Sequence, residues 1–102
     1  MITAIHIRTP IWNATIQRMQ EHGWKTTYRY DNFDAGIDFD LLILKKEGDE
    51  IIFGWDNWFE GEIRCTEAQL AVIEDMMRYK FETGEPNTLT AAVIKQYRSK
   101  YS

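Results

Sequence analysis

An α+β fold is predicted, with a mostly antiparallel sheet and three helices in the order β-α-β-β-β-β-α-α. Three observations carry this expectation. Residues 37–65 alternate apolar and polar side chains around two polar turns, the period of a strand meander. Helix-start signals stand at Thr9-Pro10 and at Thr66-Glu67-Ala68-Gln69, and apolar residues follow each at helical spacing. The sheet is therefore the 37–65 meander plus one or two N-terminal strands, with the helices expected on one face of it. The length of 102 residues is close to the commonest domain size, and Gly and Pro are scattered singly. Residues 1–102 thus read as a single domain.

Residues 2–8 alternate, with Ile5 and Ile7 on one face and His6 and Arg8 on the other, the pattern of a short strand. Thr9 is placed as an N-cap and Pro10 at the first helical position. Trp12, Ile16 and Met19 form one helix face, and Gly23 ends the helix in a left-handed conformation. Residues 24–30, rich in Thr and aromatics, favour a strand; residues 31–36 are a loop by composition. In the strand at 37–46, Ile37, Phe39, Leu41 and Ile43 share one face and Asp38, Asp40, Leu42 and Leu44 the other. Its second half is apolar on both sides, which predicts a covered, central strand.

Glu47-Gly48-Asp49 is a hairpin turn and residues 50–55 are the returning strand. Asp56-Asn57 suits a second tight turn. Phe59, Gly61, Ile63 and Cys65 then alternate against Glu60, Glu62 and Arg64. Thr66-Glu67-Ala68-Gln69 is a capping box, flanked by a Cys65–Leu70 hydrophobic staple. Leu70, Ile73 and Met77, widened by Val72 and Met76, predict a helix packed on two sides. Asn87 or Thr88 is the expected cap of a last helix carrying Leu89, Val93 and Tyr97.

Charge is unevenly distributed. Residues 31–62 hold ten carboxylates against Lys45 and Lys46, a net −8 in a chain whose total is −4, which leaves +4 for the flanks. The same stretch holds Phe33, Phe39, Phe53, Trp55, Trp58 and Phe59. Such clustering of like charge weakens a fold by self-repulsion, so a partner is a reason for it. The expectation is that these acids gather on one outward side. An overall negative charge argues against nucleic acid and anionic membrane as partners. Cys65 is the only cysteine, so no internal disulfide forms, in keeping with a reducing compartment. Residues 1–8 lack a basic region followed by an apolar run, so no signal peptide is read and the cytoplasm is the expected location.

The acidic-aromatic stretch supplies the candidate partner-binding residues: Asp31, Phe33, Asp34, Asp38, Asp40, Trp55, Asp56, Trp58, Glu60 and Glu62. Carboxylates set for Lys and Arg of a basic protein, with aromatic anchors between them, suit an inhibitory surface. The Trp rings at 55 and 58 are expected to face each other as a clasp across the Asp56-Asn57 turn, with a projecting anchor as the alternative. Asp38, Asp40, Glu60 and Glu62 would converge if their strands were adjacent, which opens a second reading as a metal-dependent enzyme acting on phosphate esters. Arg64 stands where such a site uses Lys, and Arg does not readily serve as a base. His6 and His22 have no partner at zinc spacing. Cys65, next to a helix start, is either reactive or part of the staple. No phosphate loop or dinucleotide fingerprint is present, so no cofactor is expected. A third reading, a self-associating accessory subunit, rests on the breadth of the apolar face at 66–81.

A small, acidic, aromatic-rich chain without a catalytic motif is similar in general character to bacterial immunity proteins and phage-encoded inhibitors. That likeness is one of type and carries no site residue over. It implies a non-enzymatic inhibitor whose partner is a basic toxin domain such as a nuclease.

Overall fold

The computed structural model describes residues 1–30 and 39–101, with side chains through residue 97. Its elements are β1 (Ile2–Ile7), α1 (Thr9–Glu21), β2 (Lys25–Arg29), β3 (Phe39–Lys46), β4 (Asp49–Asp56), β5 (Glu60–Cys65), α2 (Glu67–Met77), β6 (Glu82–Thr83) and α3 (Ala91–Tyr101). This is the expected α+β order with a two-residue β6 added before α3. All pairings are antiparallel, and the sheet order is β2-β3-β4-β5-β1-β6. No helix among the described residues is long and apolar enough to cross a membrane.

The β3–β4 hairpin is the spine. Phe39 pairs with Asp56 and Lys46 with Asp49, leaving Glu47 and Gly48 as a two-residue turn with φ of 51° and 87°. Positive φ at both turn residues matches the twist of the flanking strands. Leu41, Leu42, Ile43 and Leu44 are all buried, so β3 is covered on both faces as expected. Leu42 and Leu44 join a core with Ile51, Phe53, Ile63 and Cys65 under α1 and α2. Leu41 and Ile43 join Ile52, Leu89 and Ile94 under the chain leading into α3. The helices thus lie on both faces, not one. Burial of Leu89 and Ile94 against the opposite side of β3 and β4 is what moves α3 there.

Other departures have local causes. His6 has a φ of 52° and the β1–β5 register slips between Ala4 and Ile7. This bulge breaks the period of two, so Ile7 shares the main core with Ala4 and is not on one face with Ile5. Helix α1 begins at Thr9 itself, with Arg8 as N-cap and no side-chain cap of its own. Its end is as expected: Gly23 takes a φ of 95°. The capping box at Thr66 forms, with Gln69 N–H to Thr66 Oγ1 at 3.1 Å and Thr66 N–H to Gln69 Oε1 at 2.8 Å. Helix α2 stops at Met77, Arg78 closes it in the left-handed region, and only Leu70 and Ile73 are fully buried while Val72 is 68% exposed. Packing on two sides is therefore not realised in the single chain. Thr90, not Asn87 or Thr88, caps α3: its hydroxyl accepts the Val93 N–H at 3.3 Å.

Candidate functional site

Strand β4 ends at Asp56 and β5 begins at Glu60, which pair across a three-residue turn at 57–59. The two-residue turn expected at Asp56-Asn57 is thus one residue longer. Asp56 organises it. Its Oδ1 accepts the N–H groups of Trp58 at 3.0 Å and Phe59 at 2.6 Å, the self-capping that suits Asp to turns. Its Oδ2 accepts the Thr88 hydroxyl at 3.0 Å. Glu60 closes the turn with a φ of 59°, a left-handed conformation uncommon outside Gly and at home in three-residue hairpin loops.

Glu60 also holds the hairpin to α1. Its Oε1 accepts both the N–H of Thr9 at 3.1 Å and the Thr9 hydroxyl at 3.0 Å. The first N–H groups of a helix lack internal acceptors, and the positive end of the helix favours a carboxylate. Glu60 therefore caps α1 from another strand. The Thr9 hydroxyl in turn accepts the Trp55 indole N–H at 2.9 Å, which pins Trp55 half-buried against the main core.

The expected Trp55–Trp58 clasp does not form. The register sets Trp55 opposite Gly61, not opposite Trp58. Trp58 instead projects from the turn and is 84% exposed. Phe59 beside it is 43% exposed, its ring stacked on His6 with centroids 6.4 Å apart. Sequence alternation placed Phe59 with the core face of β5; the left-handed Glu60 lies between it and the alternating strand. Phe59 and Thr9 are the site residues that sequence reasoning missed. An aromatic immediately before a turn-closing residue was the available signal for Phe59, and none existed for Thr9.

Glu62 is the reverse case. It is fully buried, on the sheet face opposite Ile63. Its carboxylate accepts N–H groups from Asn87 at 2.7 Å, Thr88 at 3.1 Å and Leu89 at 2.8 Å. Three successive N–H groups directed at one anion form a backbone nest. The Glu62 carbonyl accepts the Trp12 indole N–H at 3.2 Å. Gly54 pairs with Glu62 across the strands, and a Cβ there would come within 2.7 Å of Leu89. Glu62 is thus a structural anchor for residues 87–89 and not part of an exposed binding surface, which corrects its assignment from sequence.

Asp40 is bound to Arg29 at 2.6 Å, and its other oxygen is buried without a partner among the described residues. Asp31, Phe33, Asp34 and Asp38 lie outside the described residues. Glu47, Asp49 and Glu50 sit at the far end of β4, with Glu50 3.8 Å from Lys45. The eight residues of β4 separate those acids from Asp56 and Glu60 by about 23 Å. The described acids therefore do not gather on one side. Nor do Asp40, Glu60 and Glu62 converge: Asp40 faces Arg29, Glu60 faces Thr9 and Glu62 faces inward. Among the described residues no group of three or more His, Cys, Asp or Glu could hold a metal ion.

Cys65 is buried in the main core with Leu70. Burial, reinforced by the charge of Glu74 and partly offset by the chain's amino terminus, pushes its thiol from about 9 up to about 11. The thiolate that reactivity needs is thereby disfavoured, leaving the staple role.

The site is thus a hairpin tip. Two aromatic side chains stand out from a turn whose two flanking acids, Asp56 and Glu60, accept from backbone or hydroxyl donors. Neither Asp56 nor Glu60 is in an ion pair among the described residues. Comparison with family models, with curated proteins and with solved structures returned no match.

Proposed function

We propose that the chain is a small protein-binding inhibitor that acts by contact and not by catalysis, with the β4–β5 tip as the centre of its interface. The observation that carries this is Trp58. An indole 84% exposed stands on a turn whose backbone is held by the Trp58 and Phe59 N–H groups donating to Asp56, so binding has to order the side chain but not the turn. Aromatic anchors are among the residues that dominate protein interfaces. Phe59 extends the apolar contact, and Trp55 supports the tip from behind through Thr9.

The partner this reading favours is basic. The carboxylates of Asp56 and Glu60 flank the anchors without a neutralising cation among the described residues, and the chain carries −4 overall. Charges at the rim of an interface steer encounter and select against acidic partners. A toxin domain with a cationic active-site cleft has the required chemistry, and an immunity protein is the form such an inhibitor takes. Asp49 and Glu50, at the other end of β4, contribute to steering only.

The test is co-expression with a basic effector protein encoded beside this chain in its native genome. The expected result is co-purification and loss of the effector's activity, with Trp58→Ala weakening the complex by roughly thirtyfold or more, the scale of an interface anchor. Asp49→Ala should leave the dissociation rate unchanged. A complex that tolerates Trp58→Ala, or whose formation ignores ionic strength, would refute the proposed interface.

A further inference from the structure

Away from the tip, helices α1 and α2 leave an open cleft of about 570 Å³ over β4, within the range of ligand sites. Met19, Ile51 and Ile73 form its fully buried floor, and Trp24 and Met76 are half-buried beside them. One wall is a side of α2 made of Ala68, Val72 and Met76, four residues apart and so in one row; Val72 and Met76 are the residues that widened its apolar face in the sequence. Val72, 68% exposed, has no structural use in the single chain, and a branched apolar residue there is unexplained by helix propensity.

The rim is bipolar. Arg18, His22 and Lys46 line the α1 side, and Asp49 and Asp75 line the β4 and α2 sides. The Lys46 ammonium is held at the lip by the His22 carbonyl at 2.7 Å, while Arg18, Asp49 and Asp75 form no ion pair among the described residues. Arg18 and Asp75 stand on the two helices that flank the apolar floor, while Lys46 and Asp49 are register partners on adjacent strands; a cation and an anion on separate walls complement a head group carrying both charges. A singly charged head would meet repulsion on one side.

We propose that this cleft binds a small amphiphile with an apolar body and a zwitterionic head, the body on Ile51 and Ile73 against Val72 and the head between Arg18 and Asp75. This site is independent of the tip and does not rest on the inhibitor reading.

The experiment is methyl NMR of the whole chain titrated with an octyl sulfobetaine kept monomeric, and in parallel with octyl sulfate and octyltrimethylammonium. Saturable shifts confined to the methyls of Met19, Ile51, Val72, Ile73 and Met76 are expected, with the sulfobetaine about fivefold tighter than either singly charged probe, the scale of an exposed charge pair. Val72→Asn, at an exposed position, should weaken binding about tenfold. Arg18→Ala, which removes an exposed side chain and no packing, should erase the preference for the zwitterion. Shifts that do not saturate, equal affinity for the three head groups, or an unchanged sulfobetaine affinity in Arg18→Ala would each overturn the proposal.

Discussion

Glu62 and Trp58 lie four residues apart on one hairpin, and the structure uses them in opposite ways. Glu62, a charged residue, is fully buried, whereas Trp58, among the most apolar, is 84% exposed. The difference is in hydrogen-bond supply. Residues 87–89 present three successive backbone N–H groups, and the Glu62 carboxylate accepts all three. At the turn, Asp56 satisfies the local N–H groups and leaves the Trp58 side chain without an internal role. The same principle accounts for part of the acidic excess. Asp56, Glu60 and Glu62 all accept backbone N–H groups, at a turn, a helix start and a bend. An acid-rich strand is here a set of caps for distant segments, and the surface left for a partner is correspondingly smaller.

Substitutions sharpen that contrast. The largest effect is expected at Glu62. Glu62→Ala strands three backbone donors, two of them on buried residues, and opens a cavity, costing about 3–5 kcal/mol, and Glu62→Gln, which keeps the shape but turns an amide N–H₂ toward donors, about 2–3 kcal/mol. Urea unfolding of the two variants reads both numbers. Next is Gly61, where an added Cβ would overlap the Trp12 ring. Gly61→Ala should cost about 1–3 kcal/mol by overpacking, seen as a lower melting temperature with no change in denaturant slope.

Cys65 follows. Its folded-state value, about 11 against an ordinary 9.0, means that between those pH values the unfolded chain releases a proton that the native chain keeps. Stability is unaffected by this thiol below pH 9 and falls as pH rises toward 11, by about 2–3 kcal/mol in total. The pH dependence of unfolding for Cys65→Ala should be flatter across that window by this amount. An identical slope would mean that the thiol ionises in the native core.

How much of this was legible before the structure follows from range. The double-sided apolar run 41–44 and the Thr66 capping box are local statements that the fold meets, and the hairpin turn expected at Glu47-Gly48-Asp49 forms one residue shorter, with Asp49 opening β4. What was not legible depended on partners far along the chain. The acceptor for 87–89 is 25 residues upstream, and the α1 cap, Glu60, is 51 residues from Thr9. A signal did exist in two glycines inside strands, Gly54 and Gly61, which mark close approach of another segment. Gly54 meets Leu89 and Thr88 on one face and Gly61 meets Trp12 on the other, so together they report that both faces are covered. The reversal at β1 came from His6, whose left-handed φ is uncommon for any residue but Gly and is not announced by the strand alternation around it.

The smallest expected effect is the most informative. Because the Trp58 side chain makes no hydrogen bond or ring contact among the described residues, Trp58→Ala should change unfolding free energy by no more than about 0.5 kcal/mol, while removing the anchor on which binding depends. A urea titration of that variant beside the parent chain measures this directly. Coincident curves are the predicted result. A shift of the midpoint equivalent to 2 kcal/mol, roughly what a buried aromatic contributes, would show that the indole belongs to the fold and contradict its assignment to a partner.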